Sequence, residues 1–402
     1  MNRIELLAPA GNLEKAKTAI RYGADAVYIG GKQFSLRSRA SNFTLDDIAE
    51  LVHFANDHHA KVHVTVNLLP HDEDLDGLAD YLKALDKAGV HAIIVASPAI
   101  MKLAQKLNCR FEIHVSTQHS STNSNAVRFW KKQGVDRVVL GRECTLEEIK
   151  AICAHDILPI EAFIHGGMCI SYSGRCVLSN HMTLRDANRG GCAQSCRWKY
   201  HLMDDGKEIS DPGDLFSMSS RDLQAVRYIE ALMRCNVASL KIEGRMKSAY
   251  YLATVVSSYR RLIDLIYEKG HADEEDMKKV IAEIGKAENR PTGPGFYEGV
   301  PDENVQLYVD HDEIVTQEFV AEVLDYDPFT KTAMLQVKNH FLPNQTMEIF
   351  GPNIPATRVP VGAIEDENGN ILEVCNRPMQ IVYTKWDGPI EKNAMIRKVR
   401  QS

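Results

Sequence analysis

The sequence predicts an α/β chain: a TIM-type (β/α)8 barrel with a Cys-rich insertion between strands 7 and 8, followed by a small C-terminal β-barrel-like domain. Three observations predict it. Eight short apolar runs alternate with amphipathic helical segments through the first two thirds of the chain, the pattern of repeated βα units. No Gly-x-Gly-x-x-Gly follows the first run, so an open dinucleotide-binding sheet lacks its phosphate loop. Beyond Arg290 the helical period gives way to short β-type runs separated by turn residues.

The strand candidates are ELLAPAG from Glu5, DAVYIGG from Asp25, KVHVTVN from Lys61, HAIIVAS from His91, FEIHVST from Phe111, DRVVLGR from Asp136, IEAFIHG from Ile160 and SLKIEGR from Ser239. Between them, segments such as LDDIAELVHFANDH repeat apolar residues at three and four, as a helix with one buried face does. Several begin near Asn12 or Thr44 and end at Gly89 or Gly134. A side-chain oxygen at the start accepts an orphan N–H, and glycine at the end tolerates left-handed backbone. YYLATVVSSYRRLIDLIYEKG is the helix after the eighth run, and EEDMKKVIAEIG with the break PTGPG follows it. The domains expected are a barrel over 1–272 with its insertion at about 166–235, a helical linker over 273–303 and a small β domain over 304–402. In the last, QLYVD, FVAEVLDYD, TAMLQVK, QTMEIFG and MQIVYTK alternate with turns such as DENGN.

The insertion holds Cys169, Cys176, Cys192 and Cys196, four of the nine cysteines. Six, fifteen and three residues separate successive members, in a Gly-rich stretch where neither helix nor strand alone could bring four sulfurs to one point. Disulfides are disfavoured, because the chain opens without a secretory leader and is expected in a reducing cytosol. Zinc is the alternative, although zinc sites usually show two tight knuckles and only Cys192 and Cys196 are close. The wide, uneven spacing suits an iron-sulfur cluster best. The isolated Cys109, Cys144, Cys153 and Cys375 read as buried small hydrophobes. Cys235, just before the eighth strand, is the remaining candidate ligand.

With 402 residues and 44% hydrophobic content the chain can bury two cores, and it has no run of eighteen apolar residues to span a membrane. A net charge of -7 argues against indiscriminate nucleic-acid binding. The insertion reverses that sign: Arg175, Arg185, Arg189, Arg197 and Lys199 stand against Asp186 alone between His165 and Tyr200. Such an island either offsets thiolate charge or meets an anion such as RNA phosphate.

In a barrel, chemistry sits at the C-terminal strand ends. Asn67, Ser97, His114, Gln118, Arg142, Glu143, His165, Glu243 and Arg245 fall there. At period two, Glu161, Phe163 and His165 share one face, as do Lys241, Glu243 and Arg245. A strand carrying three charges on one face is not simply packing a core; its plain structural reading is a buried ion pair of Lys241. His114 and His165 more often would be satisfied barrel histidines.

The residues also carry a resemblance. Glu161, Phe163, Gly166, Cys169, Gly174, Cys176 and Ser179 form E-x-F-x-x-G-G-x-C-x-x-x-x-G-x-C-x-x-S, which resembles the signature of the collagenase-like peptidase family U-32. Gly167 stands where that signature more often has Ser or Ala. RDANRGGCAQSCRW and SLKIEGRMKS resemble the branch of prephenate-dependent tRNA uridine hydroxylases. The resemblance implies 5-hydroxylation of the wobble uridine of tRNA, with prephenate as co-substrate and a 4Fe-4S cluster held by the four cysteines. The expected catalytic residues are His165, Lys241 and Glu243. Arg142, Arg175, Arg189, Arg197 and Arg245 would bind substrate, those deep in the mouth holding the small dicarboxylate and those on the rim holding phosphate. A partner protein or a homo-oligomer stays open. A peptidase is the alternative from the family name, yet no HExxH or GxSxG is present. A ribosomal RNA hydroxylase and a zinc-bearing RNA scaffold are the others.

Overall fold

The structure, a computed structural model, describes residues 3–36, 42–210, 215–287, 290–307 and 318–398. Eight parallel strands close into a barrel: β1 Glu5–Pro9, β2 Ala26–Gly30, β3 Lys61–Val66, β4 Ala92–Val95, β5 Glu112–Val115, β6 Arg137–Val139, β7 Ile160–Gly166 and β8 Ser239–Ile242. Strand β8 pairs with both β1 and β7, which completes the ring. Outside lie α1 Leu13–Arg21, α2 Leu45–Asp57, α3 Leu78–Ala88, α4 Pro98–Lys106, α5 Ser124–Lys132, α6 Leu146–Cys153, α7 Ile229–Arg234 and α8 Ala249–Lys269. Thr44 and Thr145 open α2 and α6 with reciprocal capping boxes, each satisfying two N–H groups that the helix cannot.

Alternation along β7 and β8 sorts apolar from charged side chains. Ile160, Ala162, Leu240 and Ile242 join the apolar core between strands and helices. Glu161 and Lys241 point into the barrel, where Lys241 Nζ donates to Glu161 at 2.6 Å and Arg137 reaches the same carboxylate at 3.3 Å. Arg137 also binds Glu5 at 2.5 Å, and the Ser239 hydroxyl donates to Glu5 at 2.8 Å. Burial works to raise the Glu5 carboxyl, but His63, Arg137 and the bonds from Arg137 and Ser239 hold it down at about 2. The buried ion pair expected of Lys241 therefore exists, with Glu161 as its partner.

His165 does not share the inward face of Glu161 and Phe163. The β7–β8 register slips by one residue, pairing Phe163 with Lys241 but His165 with Ile242. A bulge of this kind turns the next side chain to the other face. His165 consequently packs on Tyr251 and Tyr259 of α8, with Nδ1 3.2 Å from the Tyr259 hydroxyl.

Burial holds the imidazoles of His63 and His165 down at about 3. Both stay neutral in the folded chain, whereas unfolded they take up a proton near pH 6.5. The unfolded state binds more protons as pH falls, so each ring removes about 1.4 kcal/mol of stability per pH unit below 6.5. In urea unfolding at pH 7, 6 and 5, His165→Phe is expected to show a shallower loss by that amount. Identical slopes for the variant and the unaltered protein would contradict it.

Among the described residues, the C-terminal domain is an antiparallel sheet that includes Glu318–Asp327, Thr332–Val337, Thr346–Phe350, Thr357–Pro360, Ile381–Lys385 and Met395–Lys398. Its own core includes Val323, Leu335, Ile349 and Trp386. Phe350 and Met395 instead join the barrel core. Tyr22, the C-cap of α1, donates to the Asn393 carbonyl at 2.8 Å, and buried Arg397 reaches Glu283 at 2.6 Å. The expected linker is well packed: helix Glu274–Gly285 lies on α8, and Thr292–Gly293 pairs with Asp222–Leu223. Of the run QLYVD, only Gln306 and Leu307 lie within the described residues. Among the described residues no helix is long and apolar enough to cross a membrane.

Candidate functional site

At the C-terminal ends of the strands the barrel opens into a cavity of about 410 Å³. Its walls include Tyr28, Thr65, Asn67, Ser116, Gln118, Arg142, Phe163, Lys241, Glu243 and Arg245, and its roof includes Met168, Cys169, Ser173, Arg185 and Cys192. The insertion after β7 therefore lies over the mouth, where a loop in this fold meets substrate.

Two glycines allow the chain to turn into that roof. Gly166 has φ +103°, and a Cβ there would lie 2.4 Å from the Glu243 carbonyl oxygen. A Cβ on Gly191 would lie 2.7 Å from the Asp186 carbonyl oxygen. Neither place has room for a side chain. Side chains then hold the loop in shape. Glu143 accepts from the Ser173 N–H at 2.6 Å and its hydroxyl at 3.1 Å, Asn188 donates to the Cys176 carbonyl at 3.1 Å, and the Ala193 N–H donates to Ser179 Oγ at 3.0 Å.

All nine cysteines are free thiols. Cys169, Cys176, Cys192 and Cys196 lie close enough for each of the other three to act electrostatically on Cys196. Burial pushes the Cys169 and Cys196 thiols up, while Arg142 and Arg197 respectively pull them down. The Ser171 N–H donates to Cys169 Sγ at 3.4 Å, and the Leu178 N–H to Cys176 Sγ at 3.3 Å. Such bonds stabilise negative charge on sulfur, as a ligating thiolate requires. The donor set, four thiols in one loop with two backbone N–H groups and two guanidinium groups beside them, is chemically suited to a metal centre. Cys235 precedes β8 and so lies at the opposite rim, donating to the Leu232 carbonyl at 3.3 Å.

Of the expected site residues, Arg142, Lys241, Glu243 and Arg245 line the cavity with Cys169 and Cys192. The Arg142 guanidinium stacks 4.0 Å over Phe163 and donates to the Gly167 carbonyl at 3.0 Å. Buried Arg245 donates to Ser35 at 3.2 Å and Thr65 at 3.3 Å. His165 is elsewhere, on the α8 side of β7. Arg175 is exposed and outside the lining. Arg189 and Arg197, expected on the rim for phosphate, are committed within the fold. Arg189 pairs with Asp74 at 2.8 Å and Glu73 at 3.2 Å, tying the roof to the loop after β3. Arg197 donates to the Met168 carbonyl at 3.0 Å and to Ser219 at 3.1 Å, clamping the two ends of the cysteine loop. Arg185 is the cation missing from that expectation. It lines the cavity, and its Nε is buried with no hydrogen-bond partner among the described residues. Its sequence signals were its place in the positive island and at the head of RDANRGGCAQSCRW. His114 faces the barrel interior with Nε2 2.8 Å from Glu112, well below the roof cysteines.

The family described as Peptidase family U32 matches residues 11–307, and the Peptidase family U32 C-terminal domain matches 315–397. The chain is 48% identical over 402 residues to tRNA hydroxylation protein P1 of Bacillus subtilis (strain 168), covering 98% of this chain and 94% of that protein. It is 42% identical over 269 residues to the 23S rRNA 5-hydroxycytidine C2501 synthase of Escherichia coli (strain K12), covering 67% of this chain and 40% of that one. A protein named Collagenase from Porphyromonas gingivalis (strain ATCC BAA-308 / W83) is 35% identical over 313 residues, 74% of each chain.

Proposed function

The chain belongs to peptidase family U32, and from that premise we propose that it is a tRNA-modifying enzyme that hydroxylates the wobble uridine at carbon 5. In this reading prephenate is the oxygen donor and a 4Fe-4S cluster is held by Cys169, Cys176, Cys192 and Cys196. The observation that carries it is one shared cavity: two of the four clustered thiols and a wall of cations border the same space at the barrel mouth. The name of the relative from Bacillus subtilis supports tRNA as the substrate.

The residues divide as follows. The four thiols would hold the cluster, which when bound supplies one-electron chemistry beside the cavity. Arg142 and Arg185 are the cations best placed to grip two carboxylates. A guanidinium offers five donors in a fixed fork, and Arg142 commits only one hydrogen bond among the described residues. Lys241 holds Glu161 and adds positive potential from below. Arg245 lends its charge while fixing the ends of β2 and β3 around it. A base that is to be modified must leave its stack, and a cavity of about 410 Å³ at the barrel mouth gives it room. The peptidase alternative is weaker, because Cys169 and Cys192 belong to a four-thiol set that suits ligands better than a lone nucleophile.

The test is nucleoside analysis of tRNA from cells lacking the gene. 5-Hydroxyuridine-type nucleosides should disappear and return with the unaltered gene. Unchanged levels in a cell with no related enzyme to account for them would overturn the reading.

A further inference from the structure

On the cavity wall formed by the ends of β3 and β5, three side chains make hydrogen bonds whose direction is set by a backbone group. The Leu36 N–H donates to Asn67 Oδ1 at 3.2 Å. A backbone N–H can only donate, so the other end of that amide is Nδ2, and it donates to Gln118 Oε1 at 3.1 Å. The Ser116 hydroxyl donates to the same oxygen at 3.0 Å. Gln118 Oε1 therefore accepts two bonds, and turning the amide over would face Asn67 with a second donor. Gln118 is 4% exposed and lines the cavity. Among the described residues its Nε2 has no hydrogen-bond partner, and it is not fully buried. What the side chain shows to the cavity is thus an N–H donor of fixed direction.

We infer that Gln118 makes this enzyme select a pyrimidine with a carbonyl at its 4-position, uridine, over one with an amino group there, cytidine. The inference rests on the hydroxylase reading above. Uracil and cytosine share the C5–H to be replaced, and the neighbouring 4-position is where they differ: an acceptor oxygen in one, an N–H2 donor in the other. Gln118 Nε2 pairs with the oxygen. Set against the amino group, two donors face each other in a buried site, which costs the bond and leaves both unsatisfied. The discrimination expected from one such contact is about tenfold to a hundredfold. Asn67 and Ser116 are positioning residues, since they keep the Gln118 amide from turning.

Two isosteric changes test it. Gln118→Glu keeps an oxygen for Asn67 and Ser116 and exchanges only the cavity-facing NH2 for an acceptor. Asn67→Asp leaves Gln118 intact but removes the donor that orients it, so the amide turns its NH2 toward Asp and its oxygen to the cavity. Cells lacking the gene would carry each full-length form together with a tRNA bearing uridine or cytidine at the first anticodon position. 5-Hydroxyuridine and 5-hydroxycytidine are then quantified. The unaltered protein should favour uridine by at least about tenfold, and both variants should shift the ratio toward cytidine by about tenfold or more. A merely structural role would lower both products together and leave the ratio in place. Unchanged ratios would overturn the inference while the product made by the unaltered protein left the hydroxylase reading standing; absence of any gene-dependent product would overturn that reading instead. If Gln118→Glu makes no product, competition between anticodon stem-loops differing only in that base decides. Equal binding of both to the unaltered protein would overturn the inference.

Discussion

Cys176→Ala is expected to abolish hydroxylated tRNA nucleosides in complemented cells, a loss of at least about a hundredfold, because a cluster needs each of its four thiolates. Cys176 does not line the cavity, so its loss removes no contact to a substrate there. What it removes is a proposed cluster ligand, a sulfur that accepts the Leu178 N–H. The roof should loosen as well. Ser173, Leu184 and Gln194 hold left-handed backbone with φ of 53°, 57° and 55°, a strain that persists only where surrounding contacts over-determine it. Limited proteolysis between residues 170 and 200 should therefore quicken in the variant. Cys144→Ala and Cys375→Ala, at buried thiols in the two cores, should keep the product. Full product formation by Cys176→Ala would show that this thiol is not a ligand.

Lys241→Met is expected to lower stability by about 3 to 5 kcal/mol, the usual result of removing one partner from a buried ion pair. Glu161 is fully buried, and Lys241 Nζ lies 2.6 Å from it and 4.5 Å above the Tyr28 ring. Burial works to raise the Glu161 carboxyl, but Lys241 and Arg137 hold it below the usual range. With Lys241 gone, Arg137 at 3.3 Å and the more weakly acting His114 are left to oppose that burial. A carboxyl depressed in the folded state contributes stability above its unfolded pKa and loses it as pH falls. The variant should thus be compared at pH 7, where the full effect shows. Adding Glu161→Gln should recover part of the loss, since no uncompensated charge then remains. A urea midpoint for Lys241→Met equal to that of the unaltered protein would mean that the pair contributes nothing to the barrel.

The parts of this molecule that were legible in its sequence are those governed by local period. All eight barrel strands stand where β-branched runs end in turn residues, and the helices stand where apolar residues recur at three and four. The cysteine loop was legible for a different reason: four thiols in one irregular stretch have few structural uses. What escaped depends on long-range partners or on a single slipped residue. His165 left the inward face because of a bulge at one step of the β7–β8 ladder. Arg189 and Arg197 read as free cations, while their partners Asp74 and Ser219 lie 115 and 22 residues away. Asn67 and Gln118 were visible as polar residues at strand ends, yet the bond that orients them spans 51 residues. The strands Asp222–Gln224 and Thr292–Gly293 are too short for any periodicity to mark.

The measurement that tests the central claim most directly is iron, zinc and acid-labile sulfide content, with a visible absorption spectrum, on protein purified without oxygen. A cluster in the roof of the barrel mouth predicts a brown protein with about four irons and four sulfides per chain. Stoichiometric zinc with no visible absorption would contradict it.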